Sequence, residues 1–483
     1  MKAERTHLVL KPDPKRVIFL PFKPVHEEQI LKIAARVLSI TEEEVNSEIE
    51  EVCKDFGERH NKICDFYLKR FDQVSGYLIT DKKLSIKRQM LIGAYFTQEY
   101  SLESSALFNP SIVLHPDQSN LSQGSKRYIL SLRATGEGHI SSIVFRSGVI
   151  DAKNNISIEN PVKYVSAPEV VPNPYYEKPL FEKKLVELGL AYEFTDYVLS
   201  NLGDTFSLKE LEEQIETALI QSRIRNGQKR SIANGILTLA RSNYEIFFNE
   251  KQNLSERIIF PHSPTETNGI EDARFVRFSN DDGSYVYYAT YSAFDGKIVL
   301  PQLLETQDFL SFKIKTLNGP EVKNKGMALF PRKINGMYTM LSRQDNENIY
   351  IMFSDMIHFW YTKRILLRPT FTWEMVQIGN CGSPIETDRG WLVLTHGVGP
   401  MRKYSIGVVL LDLEDPTKVI GRLDKPLLSP NENEREGYVP NVVYSCGGVV
   451  HGDELVIPYA MSDYASSFAK VNLQNLLNEL TSN

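Results

Sequence analysis

The sequence predicts a mainly β protein, a five-bladed β-propeller with an N-terminal helical region and a helical insertion after the first blade. Two observations lead to this fold class. Five short segments share one form, in which a turn glycine precedes an apolar, aromatic-rich strand that ends in a polar residue. Spacings of 53, 54 and 62 residues, close to the length of a four-stranded blade, separate four of these glycines, which are Gly283, Gly336, Gly390 and Gly452.

Each of the five segments follows another strand-like run across a turn, as the second strand of a β-hairpin does. Five hairpins would supply the strands of five blades. The segments are GSKRYILSLR (124–133), GSYVYYATYS (283–292), GMYTMLSR (336–343), RGWLVLTHG (389–397) and GDELVIPYAMSD (452–463).

Two other stretches have helical periodicity. Near the N-terminus, Thr41 and Glu44 form a capping box at the start of a helix, and Ser207 and Glu210 form a second one within SLKELEEQIETALIQSRI (207–224). The long interval between the first two turn glycines is explained if the second stretch is an insertion. The predicted units are an N-terminal strand and helical region (1–100), blade one (101–174), a helical insertion (175–256) and blades two to five (257–483).

The composition is that of a soluble globular protein, with 42% hydrophobic and 24% charged residues in a chain of 483. A net charge of −6 argues against nucleic acid or an anionic membrane as the main partner. The four cysteines form no CxxC pair, which favours reduced thiols. The N-terminal segment has charge and proline where a signal peptide is apolar, and no run is long enough to span a membrane. We expect a cytoplasmic protein.

Polar side chains end the strands that would surround the funnel of a propeller. In NGIEDARF (268–275), two carboxylates and a guanidinium stand at the mouth of an otherwise apolar strand. Charges at matching positions of successive blades converge in space, and carboxylates beside guanidinium groups suit acid–base catalysis at an acetal. The candidates are Asn109, Arg133, Glu271, Asp272, Arg274, Asp295, Lys325, Arg343, His396 and Asp463.

NGIEDARF resembles the EDPR-type signature of glycoside hydrolase family 130, the mannoside phosphorylases and β-mannosidases. The resemblance extends to all five predicted blades, and the helical segments lie outside it. It takes in FNPS (108–111), SLRATGEGHISSI (131–143), NKGMALFPRKINGMYTMLSR (324–343), GWLVLTHGV (390–398), GVVLLDLEDPTKVIGR (407–422) and REGYVPNVVYSCGGVV (435–450).

The resemblance implies a five-bladed propeller that acts on β-linked mannosides with inversion at the anomeric carbon. It implies that Asp272 is the general acid and acts through the 3-hydroxyl of the substrate. It also implies that Asn109, Arg133 and Asp463 hold the mannosyl unit before the cleaved bond. Glu271 and Arg274 would position Asp272 and set its charge.

The phosphorylases of the family carry an Arg-Asn pair soon after the acid, to bind phosphate. Lys325 and His396 match other phosphate-binding positions, but TYSAFDGKIV (290–299) has neither residue of the pair and carries Asp295 instead. A carboxylate near a phosphate dianion is repulsive. We therefore expect an inverting, exo-acting β-mannosidase that hydrolyses β-1,2-linked manno-oligosaccharides. The alternative is a β-mannoside phosphorylase that releases mannose 1-phosphate.

An inverting hydrolase needs a second carboxylate as base, set back far enough to leave room for a water molecule. Glu305 and Glu347 are the counterparts implied by the resemblance, and Asp295 is a third candidate. His139 and Arg343 are further candidates for contact with the sugar. No metal motif or phosphate loop is present, so we expect no cofactor.

Two other functions fit parts of the pattern. A non-catalytic propeller could bind sugar or protein through the same funnel, but it would have no use for an acid at position 272. An arabinosidase or xylosidase of family 43 would begin its first blade with an Asp base, where this chain reads FNPS. The helical additions could form a contact in a homo-oligomer.

Overall fold

The computed structural model describes residues 1–221 and 226–482. Strands outnumber helices there, so the prediction of a mainly β protein is confirmed. The strands are β1 Glu4–Leu10, β2 Val17–Pro21, β3 Thr97–Ser101, β4 Ala106–Leu114, β5 Lys126–Thr135, β6 Ser141–Ile150, β7 Ile156–Ile158, β8 Glu169–Pro172, β9 Tyr176–Glu177, β10 Thr205–Phe206, β11 Tyr244–Phe247, β12 Ile258–Ile259, β13 Ile270–Ser279, β14 Tyr285–Phe294, β15 Val299–Thr306, β16 Ser311–Thr316, β17 Ala328–Leu329, β18 Tyr338–Ser342, β19 Ile349–Ser354, β20 Arg364–Leu367, β21 Gln377–Asn380, β22 Ile385–Thr387, β23 Gly390–Val398, β24 Tyr404–Leu411, β25 Val419–Arg422, β26 Val443–Tyr444, β27 Val449–His451, β28 Glu454–Met461 and β29 Ala465–Asn472.

The helices fall into two groups and one C-terminal element, and none of those in the described residues is both long and apolar enough to cross a membrane. The predicted capping boxes are confirmed: Thr41 caps α2, and Ser207 exchanges hydrogen bonds with Glu210 at the start of α7. The end of the helix predicted over 207–224 falls on residues 222–225, outside the described part of the chain. The helices are α1 Glu27–Ser39, α2 Glu42–Gly57, α3 Ile63–Val74, α4 Ile86–Tyr95, α5 Lys178–Glu187, α6 Glu193–Ser200, α7 Leu208–Gln221, α8 Asn226–Arg241 and α9 Leu473–Thr481.

Five antiparallel sheets of four to six strands contain most of the strands of the described residues. Sheet one is β12-β6-β5-β4 with β7 on β6, and sheet two is β13-β14-β15-β16-β11-β8. Sheet three is β17-β18-β19-β20, and sheet four is β21-β23-β24-β25 with β22 on β23. Sheet five is β1-β29-β28-β26 with β27 on β28, so its outer strand comes from the N-terminal end of the chain.

The apolar cores lie between consecutive sheets. Sheets one and two share a cluster that contains Phe145 and Phe275, sheets two and three share one around Met340, and sheets three and four share one around Trp391. Sheets four and five bury a further cluster, and Phe468 of sheet five packs with residues of sheet one. Each sheet therefore packs against the next, and the fifth packs against the first.

The two groups of helices have cores of their own. Helices α1 to α4 bury Val45, Ile49 and Ile92 among themselves, and helices α5 to α8 bury Phe194, Leu211 and Ile236. The range 175–256, predicted as a helical insertion, is not wholly helical, because it also contains β9, β10 and β11. Strand β11 pairs with β16 and so joins this range to sheet two.

A fully buried carboxylate ties the N-terminal segment to sheet one. Glu103 Oε1 lies 3.0 Å from Arg16 Nε and 2.7 Å from Arg146 Nη2, and Asp13 N donates to Glu103 Oε2 at 3.3 Å. Burial, followed by the charge of Arg146, lowers the pKa of Arg16 to about 10. The two guanidinium groups therefore depend on Glu103 for compensation of their charge.

We expect Glu103→Gln to lower the free energy of unfolding by about 3–5 kcal/mol, because it leaves two buried guanidinium groups without a counter-charge. Urea denaturation followed by circular dichroism measures the change. Glu28→Gln is the control, because the exposed Lys32–Glu28 pair of α1 should contribute no more than about 0.5 kcal/mol. Equal effects of the two substitutions would contradict the prediction.

Candidate active site

The start of strand β13 departs from regular sheet geometry at the acid pair. The pairing of β13 with β14 shifts register between Glu271 and Arg274, and Asp272 has a φ of 52°. Strand β4 does the same at Asn109, which has a φ of 49° within a register shift against β5. Asp463, in the turn between β28 and β29, has a φ of 51°. Asn and Asp tolerate this left-handed conformation better than other non-glycine residues.

These irregular positions bring polar side chains of sheets one and two into contact. Asn109 Nδ2 donates to Asp272 Oδ1 at 2.6 Å, and Arg133 Nη1 donates to the same oxygen at 3.4 Å. Arg133 Nη2 donates to Glu271 Oε1 at 2.9 Å, and Lys325 Nζ donates to Glu271 Oε2 at 3.3 Å. Arg133 thus bridges the two carboxylates, and Lys325 binds the carboxylate of Glu271.

Asp272 is ionised in this arrangement. Burial alone would raise the pKa of its carboxyl group, but the charges of Arg133 and Lys325 and the hydrogen bond from Asn109 outweigh burial and lower the pKa below its usual value. Asp463 behaves in the opposite way. Burial, followed by the charge of Asp272, raises the pKa of Asp463 to about 6. The site therefore contains two aspartates that differ in acidity.

A second layer of polar groups is buried behind the acid pair. Arg274 Nη2 donates to the hydroxyl oxygen of Tyr444 at 2.6 Å, and Arg343 Nη1 donates to His396 Nε2 at 3.3 Å. The ring centroids of His396 and Tyr444 lie 5.0 Å apart. Burial, then the charges of Arg343 and Arg274, lower the pKa of His396, so its ring is neutral. Because arginine only donates, the proton of that ring is on Nδ1.

Several polar atoms of this layer have no hydrogen-bond partner within the described residues. They include Arg274 Nε, Arg343 Nε, His396 Nδ1 and both side-chain polar atoms of Asn380. Buried polar atoms are nearly always paired in proteins. These atoms are available for hydrogen bonds to water or to a polar ligand.

Two glycines give this layer its room. A Cβ atom added to Gly326, which has a φ of 94°, would lie 2.5 Å from Arg343 Nε, and one added to Gly379 would overlap the ring of His396. Gly326 follows Lys325 directly, so the side chain of Arg343 packs against the backbone next to this lysine. A small cavity opens here between Asp272, Arg274 and Lys325.

The family model described as beta-1,4-mannooligosaccharide phosphorylase matches residues 223–482, more than half of the chain. This chain belongs to glycoside hydrolase family 130. The match covers the acid pair and the buried layer behind it. Asn109 and Arg133 lie outside the matched residues and reach the acid pair from sheet one.

Individual family 130 proteins are similar to this chain over part of its length. The 1,2-beta-oligomannan phosphorylase of Thermoanaerobacter sp. is 36% identical over 230 residues, which are 46% of this chain and 75% of that protein. The beta-1,2-mannobiose phosphorylase of Listeria innocua is 32% identical over 231 residues, 46% of this chain and 63% of that protein. The solved structure of the Listeria innocua enzyme with beta-1,2-mannobiose has a TM-score of 0.47 and 25% identity, and covers 80% of this chain and 94% of its own.

The prediction of a β-mannosidase is wrong. The family model and both named relatives are phosphorylases, which supports the alternative that the sequence left open. The expectation failed because it relied on the absence of an Arg-Asn pair and on repulsion from Asp295. Asp295 Oδ1 accepts from Lys297 N at 2.8 Å and from Ile298 N at 2.7 Å, so this carboxylate is held in the turn between β14 and β15.

The candidate bases were argued for hydrolysis, and that role falls with it. Glu305 lies on β15 opposite Tyr288 and Lys313, and Glu347 is exposed in the turn between β18 and β19. No hydrogen bond or ion pair links Glu305, Glu347 or Asp295 to the acid pair in the part of the chain that the structure describes.

Of the other predicted family 130 site residues, His139 is exposed, with its ring centroid 5.3 Å from that of Tyr438. The cluster contains Asn109, Arg133, Asp272 and Lys325, and Arg343 and His396 are in the buried layer. Sequence reasoning missed Tyr444 and Asn380 as site residues. Tyr444 lies in REGYVPNVVYSCGGVV, so the resemblance of that segment was the signal that could have found it.

We expect Asp463→Asn to raise the free energy of unfolding by about 1–3 kcal/mol at neutral pH. The folded state raises the pKa of Asp463, so ionisation of this group costs stability as the pH rises from about 4 to about 6. The gain should vanish below pH 4, where Asp463 is protonated in both states. Thermal unfolding between pH 4 and pH 8 measures it, and the exposed Asp388→Asn is the control. A gain that is independent of pH would contradict the assignment.

Proposed function

We propose that this chain is an inverting β-mannoside phosphorylase that cleaves β-1,2-linked manno-oligosaccharides with inorganic phosphate and releases mannose 1-phosphate. One observation carries the proposal: three cationic groups act on Asp272, and unpaired N–H donors lie in the buried layer behind it. Lys325 and Arg343 supply positive charge, and Arg343 Nε and His396 Nδ1 have no partner among the described residues. A neutral sugar needs little of this charge, whereas a phosphate dianion needs both the charge and the donors.

The reaction follows from this arrangement. A phosphate oxygen forms a bond to the anomeric carbon of the terminal mannosyl unit on the face opposite the leaving oxygen. The glycosidic bond breaks, and the leaving oxygen takes a proton that Asp272 supplies through the 3-hydroxyl of the sugar. Asn109, Arg133 and Asp463 hold the mannosyl unit. Inversion of a β-linkage in this step gives α-mannose 1-phosphate.

Phosphate also solves the problem of the proton. Asp272 is ionised in this structure, because Arg133 and Lys325 lower its pKa. A dianion bound beside Lys325 offsets that positive field and raises the pKa of Asp272, so the carboxyl group gains the proton that it must donate. A water molecule in the same place would leave the field unchanged. This difference supports phosphorolysis independently of the names of the relatives.

The five sheets are, in this proposal, five blades around an axis. The support comes from the apolar cores shared by consecutive sheets and from a cavity of about 310 Å³ whose lining residues come from all five sheet regions. The axis would explain how residues as distant in sequence as Asn109 and Tyr444 serve one substrate.

Incubation with β-1,2-mannobiose and inorganic phosphate is expected to give mannose 1-phosphate, visible as a new phosphorus resonance in nuclear magnetic resonance spectra. Without phosphate, release of mannose should be negligible. β-1,4-Mannobiose is the substrate for comparison, because the family model has a β-1,4 description while both named relatives have β-1,2 names. Release of free mannose at an equal rate without phosphate would overturn the proposal.

Replacement of the acid tests its role. Asp272→Asn is expected to lower kcat for phosphorolysis by about 10²–10⁴-fold, the usual contribution of general acid–base catalysis. Asp281→Asn, at the exposed far end of the same hairpin, is the control and should leave kcat unchanged. Substantial turnover by Asp272→Asn would remove this residue from the mechanism.

Lys325 is expected to act on phosphate more than on the sugar. Lys325→Gln should raise the KM for phosphate by roughly tenfold or more, because a charge-assisted hydrogen bond contributes about 1.5–3 kcal/mol. The KM for the mannoside should change much less. Lys323→Gln, which alters an exposed lysine two residues earlier, serves as the control. Equal increases in both KM values would show that Lys325 has no preference for phosphate.

A further inference from the structure

A second polar cavity lies outside the candidate active site, where the inserted helices meet sheet two. Its volume is about 100 Å³, room for about three water molecules. One wall is the start of α5 with the segment before it, and the other is the end of β16 with the loop that contains His358. The charged or titratable side chains that line it include Glu177, Lys184, Lys315 and His358.

The two walls are firmly joined. Glu187 Oε1, at the end of α5, accepts from Gly319 N at 2.7 Å, and Lys183 Nζ lies 4.8 Å from the ring centroid of Phe359. Asn243 Oδ1 accepts from Thr316 N at 2.9 Å at the base of the cavity. These contacts hold the two walls of the cavity together.

Several groups on these walls can donate to an anion. Lys315 forms no side-chain hydrogen bond or ion pair among residues 1–221 and 226–482, although its charge is close enough to act on His358. The Nδ1 atom of His358 is buried and has no hydrogen-bond partner within the same residues. Burial, followed by the charge of Lys315, lowers the pKa of His358 to about 4, so the neutral ring can donate one N–H.

The start of α5 adds to the positive potential. The helix begins at Lys178 without a side-chain cap, and Leu180 and Phe181 of its first turn line the cavity. The N-terminal end of a helix carries a partial positive charge and favours anions. Lys184, whose side chain is 4% exposed, adds an ammonium group that lies 2.9 Å from Glu187 Oε2.

We infer that this cavity binds a phosphate group, either as inorganic phosphate or as part of a small phosphomonoester, at a site separate from the candidate active site. Lys315 supplies the charge that no group of the described protein neutralises, and His358 supplies a buried donor. Glu177 is exposed, and its carboxylate opposes the anion at the opening of the cavity. The inference does not depend on the proposed reaction, since none of these residues lines the cavity beside Asp272.

Isothermal titration of the full chain with inorganic phosphate tests the inference, and a hexose 1-phosphate is the second probe. The wild type is expected to bind phosphate at two sites. Lys315→Gln should weaken one site about tenfold or more, because it removes a charged donor, and should retain the phosphorolysis rate. Lys313→Gln is the matched control, since Lys313 lies two residues earlier on the same strand and does not line the cavity. Glu177→Gln should strengthen binding at the site that Lys315→Gln weakens.

The outcomes separate this inference from the proposed function. If Lys315→Gln and Lys313→Gln bind phosphate as the wild type does, the second site does not exist. If Lys325→Gln leaves phosphate binding intact and no mannose 1-phosphate is formed, the proposed function fails while the effect of Lys315→Gln stands. The two probes are compared at the site that Lys315→Gln weakens. Tighter binding of the hexose 1-phosphate there would identify a phosphomonoester as the ligand, and tighter binding of phosphate would identify the free ion.

Discussion

The charge balance around Asp272 is the constraint on which the site depends. The adjacent carboxylates of Glu271 and Asp272 would repel each other strongly if they were buried alone. They coexist because Arg133 bridges them and Lys325 pairs with Glu271. The bridging guanidinium comes from sheet one, and the carboxylates come from sheet two. The charge balance of the site therefore depends on the relative position of the two sheets. A shift between them would leave buried charges uncompensated.

The backbone makes this arrangement available. Asn109 and Asp272 have left-handed backbone conformations at register shifts, and their side chains form a hydrogen bond with each other. A regular strand would direct successive side chains to opposite faces and would separate such groups. Behind them, Gly326 and Gly379 have no side chains, so Arg343 and His396 pack against the backbone at these two positions. Local strain and missing side chains thus serve the same end, a compact polar pocket.

The sequence was sufficient for the β-rich class and for the capped helices, because turn glycines, aromatic strands and the Thr41 and Ser207 capping boxes are local signals. It also pointed to Asp272, Arg133 and Asn109, since polar residues at the ends of apolar strands are unusual. It could not show that Asp295 is tied into its own turn, because that depends on backbone geometry. The partner of Tyr444 was equally hidden, since Arg274 comes from another sheet.

The error about the reaction has the same origin. The absence of a motif from one stretch of sequence does not establish the absence of the charge that the motif supplies. Arg274 and Arg343 bring positive charge from β13 and from the segment after β18, and both are buried. The positive potential at a site arises from charges that are close in space and can be distant in sequence. A window of ten residues therefore does not reveal it.

Strand β1 pairs with β29, which places nearly the first and nearly the last residues of the described chain in one sheet. During synthesis, β1 leaves the ribosome long before β29 and has no partner in sheet five until β29 follows it. Sheet five can be completed only after β29 has been made, and the apolar cluster that it shares with sheet one must wait as well. Between the synthesis of β1 and that of β29 the growing chain therefore has an open sheet edge, and a chaperone that shields this edge would protect the chain during that interval.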